Sequence, residues 1–250
     1  MKPFPKPSQK ILSQWRRSRR PTDGVIIDDD AQEVHCFAYE ISCEPMSDRW
    51  SDALSPQDRK RIEDASQRLH DGDPATMVAE FEALVRELPD VPKLYNHLGV
   101  AYLHSGRLDD YVRTVKETYD RFPDYLFGMI GMGELALQEG RLDDIPGIFH
   151  HTLVLHELQD GRKEYHLSEI TAFYAFFGRY FCMTGEPAVA AAYLDMLEEL
   201  NPDHPLVENL RKELLLALFQ EASQYASRSS RSRKGASKAK KKPPAKRRKR

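Results

Sequence analysis

Several groups of residues in this 250-residue chain have the types that do chemistry. His35, Cys36 and Cys43 are three soft metal ligands within nine residues. A structural zinc site takes four ligands, usually in close pairs such as Cys-x2-Cys. Three unpaired ligands fall short of that, so no metal site is expected. The stretch GMIGMG at 128–133 carries the glycines of a phosphate loop. Such a loop closes on Lys-Ser/Thr, and here Glu134 follows and would repel phosphate. The glycines therefore read as positions of close helix packing. His150, His151 and His156 in HHTLVLH lack the i,i+4 spacing that lets two imidazoles share a metal. His97 and His104 are seven residues apart, on one helix face, and read as polar residues facing a groove. Cys182, beside Phe181, reads as a packed small hydrophobe. The sequence has no nucleophile elbow, no HExxH and no cofactor fingerprint. We expect no cofactor, no metal and no catalytic residue.

What must position these residues is a set of helices with a long period. GRLDD occurs at 106–110 and again at 140–144, 34 residues apart. Gly72 stands 34 residues before Gly106, and Pro89 and Pro123 are also 34 apart. A fixed period of this length marks a repeated pair of helices. Leu94, Leu98, Ala101 and Tyr102 form one stripe at helical spacing. Gly106 stops that helix, because glycine takes the left-handed conformation at a C-terminal cap. Asp109 and Asp110 suit the positive end of the next helix dipole. Tyr111, Val112, Val115 and Tyr119 are expected as its apolar face, and Pro123 ends it.

These residues resemble the tetratricopeptide repeat, whose pattern is W-x2-L-G-x2-Y, then A-x3-F, then A and P. The best copy is Tyr95-x2-Leu98-Gly99-x2-Tyr102, with Tyr111-x3-Val115, Thr118 and Pro123. The next is Met129-x2-Met132-Gly133-x2-Ala136, with Gly140 and Ile145-x3-Phe149 and no closing proline. Another is Tyr174-x2-Phe177-Gly178-x2-Phe181, with Gly185, Ala190-x3-Leu194, Leu197 and Pro202. About eleven extra residues near 158–170 separate it from its predecessor. The first copy keeps Gly72, Met77-x3-Phe81, Leu84 and Pro89, but Arg61, Asp64 and Arg68 occupy positions that are usually apolar. A terminal repeat with one face in water explains them.

The resemblance implies an all-α fold: an α-solenoid of helix-turn-helix repeats at about 58–91, 92–125, 126–159 and 171–204. A capping helix at 205–225 would use Leu206, Leu210, Leu214, Leu215 and Leu218. It also implies a concave groove lined by set positions of each first helix. By register these are Lys93, Asn96, Val100 and Leu103; Phe127, Ile130, Glu134 and Leu137; and Ala172, Ala175, Arg179 and Cys182. One branch of the family clamps a C-terminal carboxylate with Lys and Asn. This chain has Ile62, Ser66, Ile130 and Glu134 at the comparable positions, so the clamp is not expected. The mixed, rather apolar groove suits an amphipathic helix or extended peptide of a partner protein. The alternative occupant is the chain's own segment 25–50.

The flanks differ from the body. Residues 1–24 are basic and rich in Pro and Ser, and are expected to be a disordered tail. Residues 25–57 include VIIDDDAQEVHCFAYEISC, compatible with a strand or hairpin that docks on the helices. Residues 226–250 carry thirteen Lys/Arg and no acid, including Lys240, Lys241, Lys242, Lys246, Arg247, Arg248, Lys249 and Arg250. They are expected to be disordered. With seven bases in 1–20, the remainder holds 17 bases against all 39 acids, a net charge of about −22. An acidic body between basic tails points either to polyanion contact, RNA or DNA bound without sequence preference, or to tails that aid solubility or fold back on the acidic body. No apolar stretch reaches the roughly 20 residues of a membrane span. Three cysteines make no disulfide framework. The expected location is cytoplasmic, or nuclear in a eukaryotic host.

Overall fold

The structure, a computed structural model, describes residues 23–27, 34–38, 40–44, 46, 48–159 and 162–239, and of 23–38 and 224–239 it describes the backbone. The described chain is mostly helical. Strands β1 (Asp23–Ile27) and β2 (Val34–Ala38) pair antiparallel. Strand β3 (Glu40–Ser42) follows, then helices α1 (Pro56–Asp71), α2 (Val78–Glu87), α3 (Pro92–His104), α4 (Leu108–Arg121) and α5 (Leu126–Gln138). Single turns α6 (Ile145–Ile148) and α7 (Leu155–Leu158) lead to strand β4 (Glu164–His166). Helices α8 (Leu167–Met183), α9 (Pro187–Leu200) and α10 (Pro205–Ala239) complete the chain. No helix among the described residues is long and apolar enough to cross a membrane.

Two kinds of junction recur. Helices α3, α5 and α8 end on Gly106, Gly140 and Gly185, at φ of 75°, 70° and 78°. In each, the residue after the glycine donates its N–H across the turn: Arg107 to Tyr102 O (2.9 Å), Arg141 to Ala136 O (2.8 Å), Glu186 to Phe181 O (2.9 Å). The glycine N–H bonds Leu103, Leu137 and Cys182 respectively. This pair of bonds satisfies carbonyls that a helix end leaves without partners, and it needs a residue that tolerates positive φ. So GRLDD is a turn written twice, and TGEP at 184–187 makes it a third time. The second junction is X-Pro. Leu88, Phe122 and Asn201 leave the helix at φ −129°, −129° and −154° with ψ near 65°. Each precedes a proline, which disfavours the helical conformation in the residue before it. Gly72 belongs to neither kind. It ends α1 at φ −113° with its N–H on Arg68 O.

The third unit departs from the expected pair. Its second helix is one turn, Ile145–Ile148, rather than a helix through Phe149 and beyond. Pro146 lacks a donor N–H. His150 and His151 then both take positive φ, 50° and 60°, a conformation non-glycine residues adopt only against local strain. The missing volume is filled by aromatics. Phe149 lies 4.9 Å from both Phe176 and Phe177, and Phe173 lies 4.8 Å from Phe177. All four are essentially inaccessible, and burying each contributes about 2–3 kcal/mol. They join α5, α6 and α8 into one core that continues through α9 to Val207, Leu210 and Leu214 of α10.

Other expected faces shift. On α4 the most buried residues are Thr114 and Thr118, while Tyr111, Val112, Val115 and Tyr119 are half-buried. The Thr118 hydroxyl donates to Thr114 O at 2.7 Å, which frees its methyl to pack on Gly128 of α5. In α1 the buried residues are Ile62, Ala65 and Leu69, and Arg61, Asp64 and Arg68 face solvent. Arg61 pairs with Glu87, and Arg68 with Glu80, tying α1 to α2. On α10, Leu215 and Leu218 are exposed, against the expectation that they cover the last unit. The described backbone of that helix runs to Ala239. The tail calls on 1–22 and 240–250 lie outside the described residues.

The glycines differ in what a methyl group would meet. At Gly133 an added Cβ would sit 2.6 Å from Phe176 Cζ and 3.0 Å from Phe149 Cε2. Those rings are held on all sides by the aromatic core. At Gly99 the nearest atom is Tyr111 Cδ2, at 3.7 Å, an ordinary contact. Gly133→Ala is therefore expected to destabilise by about 1–3 kcal/mol through overpacking. Gly99→Ala should be neutral or stabilising by up to about 1 kcal/mol, since alanine is the better helix former. Urea denaturation of the two variants measures both signs.

Candidate functional site

The candidate site is the face shared by α3, α5 and α8, to which the groove positions map. On α3 it is accessible. Lys93 and Leu103 are exposed, Leu103 to 45%, and Asn96 and Val100 are half-buried between them. On α5, Phe127 and Glu134 are half-buried, but Ile130 and Leu137 are core residues at 9% and 2% exposure. On α8, Ala175 is fully buried and Ala172 and Cys182 are half-buried. Ile130, Leu137 and Ala175 are thus not groove-lining. Because the third unit lacks a full second helix, α8 moves directly onto α5 and closes the face there.

Arg179 is also not open for a ligand. Its Nη1 donates to both Glu134 oxygens, at 2.5 and 2.6 Å, and its Nε to Glu213 Oε1 at 2.9 Å. This ties α8 to α5 and α10. Burial works against the Arg179 charge, and the two carboxylates more than offset it, so its pKa is raised. Two carboxylates on one guanidinium leave the cluster one negative charge in excess. Nearby, burial first and the Glu213 charge second push the Cys182 thiol up to about 11, so it stays protonated near neutrality.

The histidines separate. His97 points toward α1 and α2, its ring 5.4 Å from Phe81 and its Nε2 2.9 Å from Ser66 Oγ. The Ser66 hydroxyl is committed to Ile62 O at 2.7 Å. Ser66 Oγ therefore accepts, and the proton of neutral His97 sits on Nε2. Burial, aided by the Lys93 charge, lowers the His97 pKa to about 3. His104 is exposed at the end of α3, so the two do not share a ligand. His150 and His151 are exposed in the strained turn, and His156 Nδ1 contacts Arg162 O. No group of three or more potential metal ligands gathers among the described residues. GMIGMG lies within α5, with Gly128, Gly131 and Gly133 set against Thr118, Val115 and Phe176. The side chains of His35 and Cys36 lie outside the described residues.

Segment 40–54 borders this face at one edge. Trp50 packs edge-on against Phe122 and Tyr125, and Arg49 pairs with Asp124. Tyr125 in turn contacts Phe127. Strand β3 pairs parallel with β4, Ile41 opposite Tyr165. The extra residues near 158–170 thus supply a strand edge. Arg162 lies over the Tyr165 ring and forks onto Glu169, whose Oε2 also caps the His166 N–H. Sequence reasoning missed this anchor; the signal was the Arg162…Tyr165…Glu169 spacing, too short-ranged to reveal a strand partner 124 residues earlier.

Comparison with known proteins finds no matching family model, no matching curated protein and no matching solved structure.

Two predictions follow from the charges. The unfolded chain binds a proton at His97 below pH 6.5, and the folded chain refuses it down to about 3. The contribution of neutral His97 is present above pH 6.5 and is lost as pH falls from 6.5 toward 3, by up to about 4 kcal/mol. His97→Gln should flatten that limb of a stability–pH curve from chemical denaturation. Arg179→Glu would gather three carboxylates in a half-buried site and should destabilise by about 2–4 kcal/mol, whereas Arg179→Met should do less damage. Midpoints from thermal unfolding rank the two.

Proposed function

We propose that the chain is a tetratricopeptide-like α-solenoid and a non-enzymatic adaptor that holds a segment of a partner protein against its first helices. The observation that carries this reading is the recurrence of both junctions, with the same glycine turn closing α3, α5 and α8. Such turns aim successive first helices at one face. The partner segment would lie along Val100, Leu103 and Phe127 with its apolar side, flanked by Lys93 and Asn96. A basic residue on it would suit the net negative cluster of Glu134, Arg179 and Glu213. An amphipathic helix laid in a groove has this chemistry.

The charge run favours a second reading beside the first. No acid follows Glu221, and thirteen bases lie in 226–250. Without an aromatic residue in that stretch, base stacking has no means to act, so any RNA or DNA contact there would be through phosphates alone.

Selection of amphipathic peptides on the full-length chain tests the adaptor. Val100→Asp and Leu103→Asp should each weaken a selected peptide at least ~10-fold, about 1.4 kcal/mol, the exposed Leu103→Asp with an unchanged thermal midpoint. Equal affinity in both variants removes the groove from the reading. For the second reading, fluorescence anisotropy with a single-stranded oligonucleotide should show a steep loss of affinity with salt. Replacing Lys240, Lys241 and Lys242 by Gln should reduce that slope. A flat salt response excludes phosphate binding by the tail.

A further inference from the structure

We propose that α10 is a membrane-surface helix, which lays its exposed apolar face on an anionic lipid bilayer and sets the basic stretch that follows against the headgroup phosphates. The helix is 35 residues long, and Val207, Leu210 and Leu214 bury its first turns in the body. None of its described side chains beyond Leu214 is buried. Leu215, Leu216, Leu218 and Phe219 are 63%, 63%, 43% and 72% exposed. Leu215, Leu218, Phe219 and Ala222 recur at i, i+3, i+4 and i+7, which sets them along one side of the helix. A contiguous patch of large apolar side chains on a surface helix marks an interface. A helix standing away from its core also lacks the packing that normally maintains it, and an outside surface supplies that packing.

Charge identifies the occupant. Over Pro205–Glu213 the helix holds two acids and two bases, and each is paired: Glu208 with Lys212, Arg211 with Glu198, and Glu213 with Arg179. Glu221 is the last acid of the chain. From there to Ala239 the helix carries five bases, Arg228, Arg231, Arg233, Lys234 and Lys238, and thirteen stand in 226–250. Along one helix the order is thus neutral, apolar, basic. An anionic bilayer answers both of the last two features. Apolar side chains enter the boundary between headgroups and acyl chains, and Lys and Arg meet the anionic headgroups. A nucleic acid would meet the bases through its phosphates and leave Leu215, Leu216 and Phe219 in water. The acidic body, at about −22, opposes approach to an anionic surface, but that charge is screened with distance. Ala239 is 25 residues past Leu214, about 37 Å along a helix, against a screening length of about 8 Å. This inference does not depend on what the groove binds.

Flotation of the full chain with vesicles tests it, using phosphatidylcholine alone and phosphatidylcholine with phosphatidylserine in equal parts. The chain should float with the anionic vesicles and stay behind with the neutral ones. Leu215→Glu with Phe219→Glu should weaken that binding at least ~10-fold with an unchanged thermal midpoint, since both side chains are exposed. Replacing Arg228, Arg231, Arg233 and Lys234 by Gln should weaken it most at low salt. Phe219→Trp gives a positive reading: its emission, with that of the wild type subtracted, should shift to the blue on anionic vesicles as the indole leaves water. A wild type that stays off the anionic vesicles, a double Glu variant that binds them as tightly, or an emission that does not shift overturns the proposal. Binding lost in the Gln variant but kept in the Glu variant assigns the tail to phosphate contact alone and overturns it too. So does a chain that ignores vesicles and sediments at twice its 28.8 kDa through Leu215 and Phe219, which gives the face to a second copy.

Discussion

A helix that must reverse direction within a few residues has to dispose of its last carbonyl groups, and everything in this chain hangs on how it does so. Gly106, Gly140 and Gly185 each turn back at positive φ and let two N–H groups cap the helix behind them. The bonds are backbone bonds, so they do not depend on neighbouring side chains. The glycine torsion is nearly the same each time, with φ between 70° and 78°. Helices that leave by the same turn pack on one another in the same way, which is what makes a short local motif a repeated architecture.

The third unit shows how far that logic can bend. Its turn at Gly140 forms normally, yet the helix that should follow closes after one turn. What replaces the helix is the ring of Phe149, stacked on Phe176 and bordered by Phe173 and Phe177. The aromatic core and the absence of a side chain at Gly133 depend on each other. Bringing α8 directly onto α5 also buries Ile130 and Ala175, and turns Arg179 from a surface charge into a bridge among three helices. The face left open centres on α3, with Phe127 at its edge and the excess carboxylate of the Arg179 cluster beyond.

The N-terminal segment and α10 attach to this frame in contrasting ways. Residues 40–54 are held by a short parallel strand pair and by Trp50 against Phe122 and Tyr125. Their anchors are few but largely buried at one end. Helix α10 is clamped by Leu210, which sits over Gly178, and by Glu213 on Arg179. One turn later its apolar side chains face outward. The chain changes from buried to exposed apolar surface within one stretch of like residues, LLLALF.

Much was legible without coordinates, because it was encoded locally. The glycine turns and the X-Pro exits rest on conformational rules that act within five residues. The polar face of α1 was legible for a similar reason, since Arg61, Asp64 and Arg68 recur at helical spacing. What the tertiary structure alone decided was long-range. No local pattern distinguishes Arg179 paired with Glu134 and Glu213 from an Arg179 open to a ligand, because its partners lie 45 and 34 residues away. Thr118 is buried although it carries a hydroxyl, because that hydroxyl is satisfied by the helix's own Thr114 carbonyl and leaves the methyl group to pack. Leu215 and Leu218 read as core and are exposed, because burial belongs to a helix's distance from its neighbours and not to its composition.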